Sequence, residues 1–325
     1  MPASSTTSNH QPTVIITETL SDGPADWLAE RANVVWCPHT EKERLAKLLP
    51  QADGLVVRTY TQVNQELLDQ APNLKVVGRA GVGLDNFDLP ACEKANVKVV
   101  YTPDANSQAV VEYVIALILD TLRPRTDLPP ACSEAIFHQL RKTEIGKQLD
   151  QLTLGIVGLG RVGKRLANVA HAIGMKILVS EIIPETDLRR ACDLPFNYVP
   201  HDTLYAEADI VSIHVDGRPE NKHMLSTHAL SQLKPNTLLI NAARGFLHKN
   251  ETLLTFAQNN PEAHIILDVH DPEPPSLDYI LANQPNIRLL PHIASRTDQA
   301  LENMSWVVRD ILAVLENKSP NFPAF

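Results

Sequence analysis

The stretch Leu154-Gly155-Ile156-Val157-Gly158-Leu159-Gly160-Arg161-Val162-Gly163 decides the fold. An apolar run enters a Gly-x-Gly-x-x-Gly loop and the helical pattern Lys164 to Ile173 leaves it, which is the strand, phosphate loop and helix of a dinucleotide-binding unit. Gly158 permits the tight turn, Gly160 lets the backbone approach a pyrophosphate, and Gly163 allows the helix to pack closely on the strand. The pyrophosphate would rest on the helix N-terminus, where unpaired amides and the helix dipole favour an anion; Arg161 and Val162, which follow the second glycine, join the expected cofactor contacts. The next strand, Lys176 to Ser180, runs into Glu181, 18 residues after Gly163. A carboxylate there accepts hydrogen bonds from the ribose hydroxyls of NAD and repels a 2′-phosphate. Ile182 and Ile183 follow, where an NADP site would place Arg or Lys. The expected cofactor is NAD.

Outward from this loop, strand-like runs alternate with helical patterns, the signature of an α/β protein with parallel sheets. Downstream, Leu154 to Val157, Lys176 to Val179, Ile210 to His214, Thr237 to Asn241, His264 to Asp268 and Ile287 to Leu290 make a complete doubly wound sheet. Upstream, Thr13 to Thr17, Val34 to Trp36, Gly54 to Val57, Leu74 to Gly78 and Val97 to Tyr101 form a second set, none of which leads into a glycine-rich phosphate loop. Ser107 to Leu122 is apolar on nearly all sides and is expected to be a buried helix. Three prolines in Arg123 to Pro130 end it, the polar segment up to Gln151 reads as an exposed connection, and Ala300 to Leu315 reads as one last apolar helix.

At 325 residues the chain is long enough for about two domains. The formal charge is −9, from 29 Lys and Arg against 38 Asp and Glu, without a long run of one sign. General binding to nucleic acid or an anionic membrane, which needs a basic surface, is therefore not expected. The longest apolar stretch, Val110 to Leu122, contains Glu112 and Asp120 and is too short and charged to cross a bilayer. Residues 1–12 read as a loose disordered tail and not as a signal peptide. Cys37, Cys92, Cys132 and Cys192 lie far apart and form no CxxC pair. A disulfide framework or a metal site is not expected, and a cytoplasmic location is.

Three successive strands deliver polar residues to one sheet edge. Asn241-Ala242-Ala243-Arg244-Gly245 follows one, Asp268-Val269-His270-Asp271-Pro272-Glu273-Pro274 the next, and Pro291-His292-Ile293-Ala294-Ser295 the third. The set holds a cation for a carboxylate, a histidine to move a proton, and a carboxylate to orient that histidine. His214, His248 and His270 are expected to be structural.

These motifs, with Gly78-Arg79-Ala80-Gly81-Val82-Gly83-Leu84-Asp85-Asn86 in the first half, resemble the D-isomer-specific 2-hydroxyacid dehydrogenases, and among them the 3-phosphoglycerate dehydrogenase-like subgroup. The resemblance implies a Rossmann NAD-binding domain, residues 106–296, inserted into a flavodoxin-like substrate domain built from residues 13–105 and 297–325. It implies that Arg244 binds the substrate carboxylate and carbonyl, that His292 is the acid and base, and that Glu273 hydrogen-bonds His292. Asp268 would hold the nicotinamide carboxamide, and Val215, Ala242 and Ala294 would line the cofactor. Arg79 and the amides of Val82 and Gly83 would bind substrate in a cleft that closes between domains, with Arg141 and Lys142 as further candidates for a phosphate. The segment after Leu122 would serve a homodimer. The chain stops at Phe325, so a short form without a regulatory domain is expected. The implied activity interconverts a D-2-hydroxy acid and its 2-keto acid. The alternatives are a glyoxylate or hydroxypyruvate reductase and, from another class, an NAD-sensing binding protein like the corepressors that share this fold. Departures from the family pattern, Asp216-Gly217-Arg218-Pro219 after the His214-Val215 strand and Ser295-Arg296 beside His292, leave the acid itself open.

Overall fold

The computed structural model of the chain describes residues 11–192 and 194–325. The expected loose tail, residues 1–12, lies outside the described residues except for its last two. The chain divides into two compact units: the residues up to Asn106 with Arg296–Phe325, and Ser107–Ser295.

In the first unit β1 (Thr13–Ile16), β2 (Asn33–Trp36), β3 (Gly54–Val57), β4 (Val76–Arg79) and β5 (Lys98–Tyr101) pair in parallel in the order β2-β1-β3-β4-β5. This is the flavodoxin-like winding, which reverses between β1 and β3. Val14, Ile16, Val56, Val76 and Val100 point to one face, where Val307, Val308 and Ile311 cover them. The C-terminal residues are thus part of this unit's core although some 200 residues separate them from β5 in sequence. Asp310, 4% exposed, accepts the amides of Asn321 and Phe322 and fastens the last turn.

The second unit holds β6 (Thr153–Val157), β7 (Lys176–Ser180), β8 (Asn197–Tyr198), β9 (Ile210–Ile213), β10 (Leu238–Asn241), β11 (His264–Leu267) and β12 (Ile287–Leu289). All pair in parallel, in the order β12-β11-β10-β9-β6-β7-β8. Read from the β8 edge, the first six strands have the Rossmann order 3-2-1-4-5-6, with β12 added beyond them. The winding reverses between β6 and β9, so the loops leaving β6, β9, β10, β11 and β12 open around one crevice edge. Both faces are buried, as a parallel sheet requires. Leu154, Ile156, Ile240 and Ile266 pack with the helices Ser107–Leu122 and Arg161–Ala172; Val157, Val211, Leu239 and Leu267 pack with Leu204, Leu230 and Phe256 opposite.

Three local expectations are corrected. β8 is a strand of two residues on the sheet edge, too short to leave a periodic signal. The connection before Gln151 contains the helix Glu134–Thr143, capped by Ser133 Oγ accepting the Ile136 amide; it buries no residue, and its short apolar stripe, Ile136, Phe137 and Leu140, does not stand out within a polar segment. The last helix is two helices, Asp298–Ser305 and Val308–Leu315. Ser305 Oγ donates back to Leu301 O at 2.7 Å and accepts the Ser21 amide at 3.0 Å. Such back-bonding competes with the helical ladder, and Trp306-Val307 continue it poorly.

Two histidines sit in this core as neutral rings. Burial pushes His214 and His248 from the ordinary 6.5 down to about 4, and neighbouring His270 adds to the effect on His248. The unfolded ring takes a proton below about 6.5 and the folded one only below about 4, so the unfolded state holds more protons in that window. Stability therefore falls as pH drops through it, by about 2 kcal/mol per ring at pH 5. The His248→Leu variant is expected to lose about 2 kcal/mol less than the parent between pH 8 and pH 5 in urea melts. Equal losses in both proteins would remove His248 from this role.

Candidate active site

The glycine loop is built for a close ligand. Gly158 has φ +94°, and a Cβ there would lie 2.7 Å from the His214 carbonyl. A Cβ on Gly163 would run into the Gly158 carbonyl, so helix and strand approach as only glycine allows. Gly160, which precedes the helix Arg161–Ala172, has nothing within 4 Å of where a Cβ would stand. Its bare face is the opening through which a pyrophosphate reaches the helix N-terminus. Glu181, just past β7, accepts the Leu159 amide at 2.6 Å and the Ile182 amide at 2.7 Å. The carboxylate is thereby aimed over the loop, with lone pairs left for ribose hydroxyls. These residues fit a dinucleotide.

At the same edge, β10 ends on Asn241, whose buried amide group shapes the next turn. Its Nδ2 donates to Arg244 O at 2.8 Å and its Oδ1 accepts the Ala243 amide at 3.0 Å. Arg244 is extended, with Nη1 donating to Ala243 O at 2.8 Å. Asp268 follows β11 and is 1% exposed. Its two oxygens accept the amides of Ile293 at 3.0 Å and Ala294 at 2.9 Å, and Tyr113 Oη approaches at 3.4 Å. Burial raises the Asp268 pKa despite these donors, and burial with the Asp268 charge raises Tyr113 to about 12. The carboxylate expected to meet the nicotinamide amide thus also fastens the loop that carries His292.

His292 Nδ1 lies 2.5 Å from Glu273 Oε1. A carboxylate only accepts here, so Nδ1 carries the proton and Nε2 is the ring's other, outward nitrogen. Burial pulls the Glu273 carboxyl upward, but the His292 bond and charge and the His270 amide outweigh it and hold it below the usual carboxylate range. His292 has φ +55°, a left-handed conformation that non-glycine residues adopt at a few positions only. The Asp268 grip on the two following amides fixes that turn. About 43% of the imidazole remains exposed, enough to meet a substrate.

Val215 and Ala242 are partly buried against opposite faces of the sheet, and Ala294 is 4% exposed in the core. Arg218, the extra positive group of the loop after β9, grips Asp216 through Nε at 2.7 Å and Nη2 at 2.5 Å, so its charge is locally matched.

In the first unit, Arg79 ends β4 and Val82 and Gly83 lie in the turn behind it. Arg58, just past β3, has no motif around it and sequence reasoning passed over it. Buried Glu18 accepts four successive amides, Arg58 to Thr61, and so sets the turn that holds it. Burial and then the charge of Arg296 lower the Arg58 pKa, and Arg58 Nη1 donates to Thr19 O at 3.2 Å. Arg141 and Lys142 stand on the exposed helix Glu134–Thr143, with Arg141 over the Phe137 ring.

Residues 115–294 match the family model described as D-isomer specific 2-hydroxyacid dehydrogenase, NAD binding domain. The chain belongs to the D-isomer specific 2-hydroxyacid dehydrogenase family. It is similar to the D-3-phosphoglycerate dehydrogenase of Synechocystis, with 30% identity over 94% of this chain and 55% of that protein. The hydroxypyruvate reductase of Thermotoga maritima is 34% identical over 81% of this chain and 84% of its own length. Among solved structures, the D-lactate dehydrogenase of Aquifex aeolicus, complexed with NAD and lactic acid, superposes with a TM-score of 0.76 at 26% identity, covering 94% of this chain and 96% of that one. The chain spans about half the length of the phosphoglycerate dehydrogenases it matches. No helix among the described residues of this family member is long and apolar enough to cross a membrane.

Proposed function

We propose that this protein interconverts a D-2-hydroxy acid and its 2-keto acid. The observation that carries the reading is the His292 to Glu273 pair at 2.5 Å, held beside the Arg244 turn on the edge where the glycine loop opens. NAD, when bound, supplies or takes the hydride at C2. Arg244 binds the carboxylate and carbonyl oxygens through its planar, permanently charged fork. In reduction, negative charge grows on the C2 oxygen and His292 Nε2 donates a proton to it; in oxidation the same nitrogen takes the hydroxyl proton. Glu273, anionic throughout, stabilises the imidazolium and keeps the ring aimed. Arg79, Val82 and Gly83 of the first unit are assigned to substrate binding.

Arg296, four residues after His292, favours an acid with a second anionic group, of the 3-phosphohydroxypyruvate kind. The name of the Thermotoga relative supports a second reading, hydroxypyruvate or glyoxylate. We further assign the exposed apolar pair Ile136 and Phe137 to a homodimer contact, and the four free cysteines fit a reducing cytoplasm. The test is NADH oxidation with 3-phosphohydroxypyruvate, hydroxypyruvate and glyoxylate. The first reading expects kcat/KM at least tenfold higher for the phosphorylated acid, a preference that Arg296→Ala abolishes. Higher kcat/KM for the unphosphorylated acids gives the second reading instead.

A further inference from the structure

Three segments carry the site, and one buried residue touches all of them. His270, 7% exposed, lies between β11 and Glu273. Its backbone amide donates to Glu273 Oε2 at 3.4 Å. Its ring Nε2 lies 2.7 Å from the carbonyl of Leu290, two residues before His292. Its own carbonyl stands so close to Gly245 that a Cβ there would run into it, and Gly245 adjoins Arg244. Tyr279 packs edge-on against the ring at 5.8 Å and fixes its plane. A carbonyl only accepts, so Nε2 must carry a proton. The ring's Nδ1 is buried with no hydrogen-bond partner among the described residues, which leaves the Leu290 bond as the single polar contact of the imidazole.

We propose that His270 is a positioning residue for the reaction: its Nε2–H donor holds the Leu290 carbonyl, and with it the His292 loop, in register with Glu273 and Arg244. The inference rests on the dehydrogenase reading for its kinetic consequence, but the geometry it describes does not. A ring buried for packing alone needs no donor. A phenylalanine would fill the same space against Tyr279 and leave the Leu290 carbonyl unsatisfied, which frees the strand end that feeds the left-handed turn at His292.

The experiment compares His270→Phe, which keeps the ring and removes the donor, with His270→Gln, whose amide restores a donor. Displacing a proton donor by about an ångström lowers turnover on the order of a hundredfold. H270F is expected to lower kcat ten- to hundredfold, to leave the NADH Kd within twofold, and to move the pH profile of kcat. H270Q is expected to recover kcat to within about threefold of the parent. A purely structural role predicts that both variants lose NADH binding and thermal stability together, and that result overturns the proposal. So does an H270F enzyme with parental kcat and pH profile. Nitrogen-15 NMR titration of His292 in the parent and H270F proteins separates this claim from the dehydrogenase reading. A parent without turnover defeats that reading alone, whereas an unchanged His292 titration defeats the positioning role alone.

Discussion

Replacing His292 by alanine is expected to lower kcat for keto-acid reduction by about 10²- to 10⁴-fold, the usual contribution of a positioned general acid, while the NADH Kd stays within threefold. The two effects separate because of where the chain spends its residues. Nucleotide binding rests on the bare face of Gly160, the helix behind it and the Glu181 carboxylate, none of which touches the imidazole. In the proposed reaction proton transfer rests on one nitrogen, Nε2, whose aim follows from the bond its partner nitrogen makes to Glu273. In the variant that carboxylate loses the hydrogen bond and charge that hold it low, and burial, which pulls it up, acts unopposed by the ring. NADH fluorescence titration and initial rates on the same preparation measure both quantities. A variant with near-parental kcat would place the proton donor elsewhere.

Arg244→Gln is expected to lower kcat/KM by roughly 10²- to 10⁴-fold, since it removes two charge-assisted hydrogen bonds of about 1.5–3 kcal/mol each. The loss should divide between KM and kcat. The carboxylate contact exists in the ground state and appears in KM, whereas the contact to the carbonyl oxygen strengthens as charge develops there and appears in kcat. Arg244→Lys should recover less than a tenth of the activity, because a point charge cannot bridge both oxygens. The turn itself should survive both changes. Asn241 holds it through the Arg244 backbone carbonyl and the Ala243 amide, and neither bond involves the Arg244 side chain. Loss confined to KM would mean that Arg244 binds the substrate and takes no part in the chemistry.

What was legible in the sequence follows from how locally each feature is encoded. The glycine loop is a local device: Gly158, Gly160 and Gly163 each answer a separate backbone demand within six residues, and the structure places each demand there. Both sheets were legible because parallel strands buried on two faces must be nearly continuous apolar runs. The pairing of His292 with Glu273 was named from the resemblance, and it lies 19 residues apart in sequence. Less was visible where the signal is relational. Asp268 is named as a ligand to the cofactor, but its hold on the His292 loop, through amides 25 and 26 residues away, leaves no motif. Arg58 owes its place to four amides gathered by Glu18, forty residues earlier, a bond pattern without a motif. His270 read as a packing residue because its role depends on Leu290 and Gly245, on two other loops. The split at Ser305 turns on a hydroxyl that bonds backward, which periodicity does not register.

In the proposed reaction hydride moves between the nicotinamide and C2 of a 2-keto acid while His292 supplies the proton. The most direct measurement incubates the protein with C4-deuterated NADH and hydroxypyruvate or its 3-phosphate, and then examines the product by NMR and chiral chromatography. Deuterium on C2 and the D enantiomer are expected. An L product, or tight NADH binding without turnover of either acid, would contradict the proposed reaction.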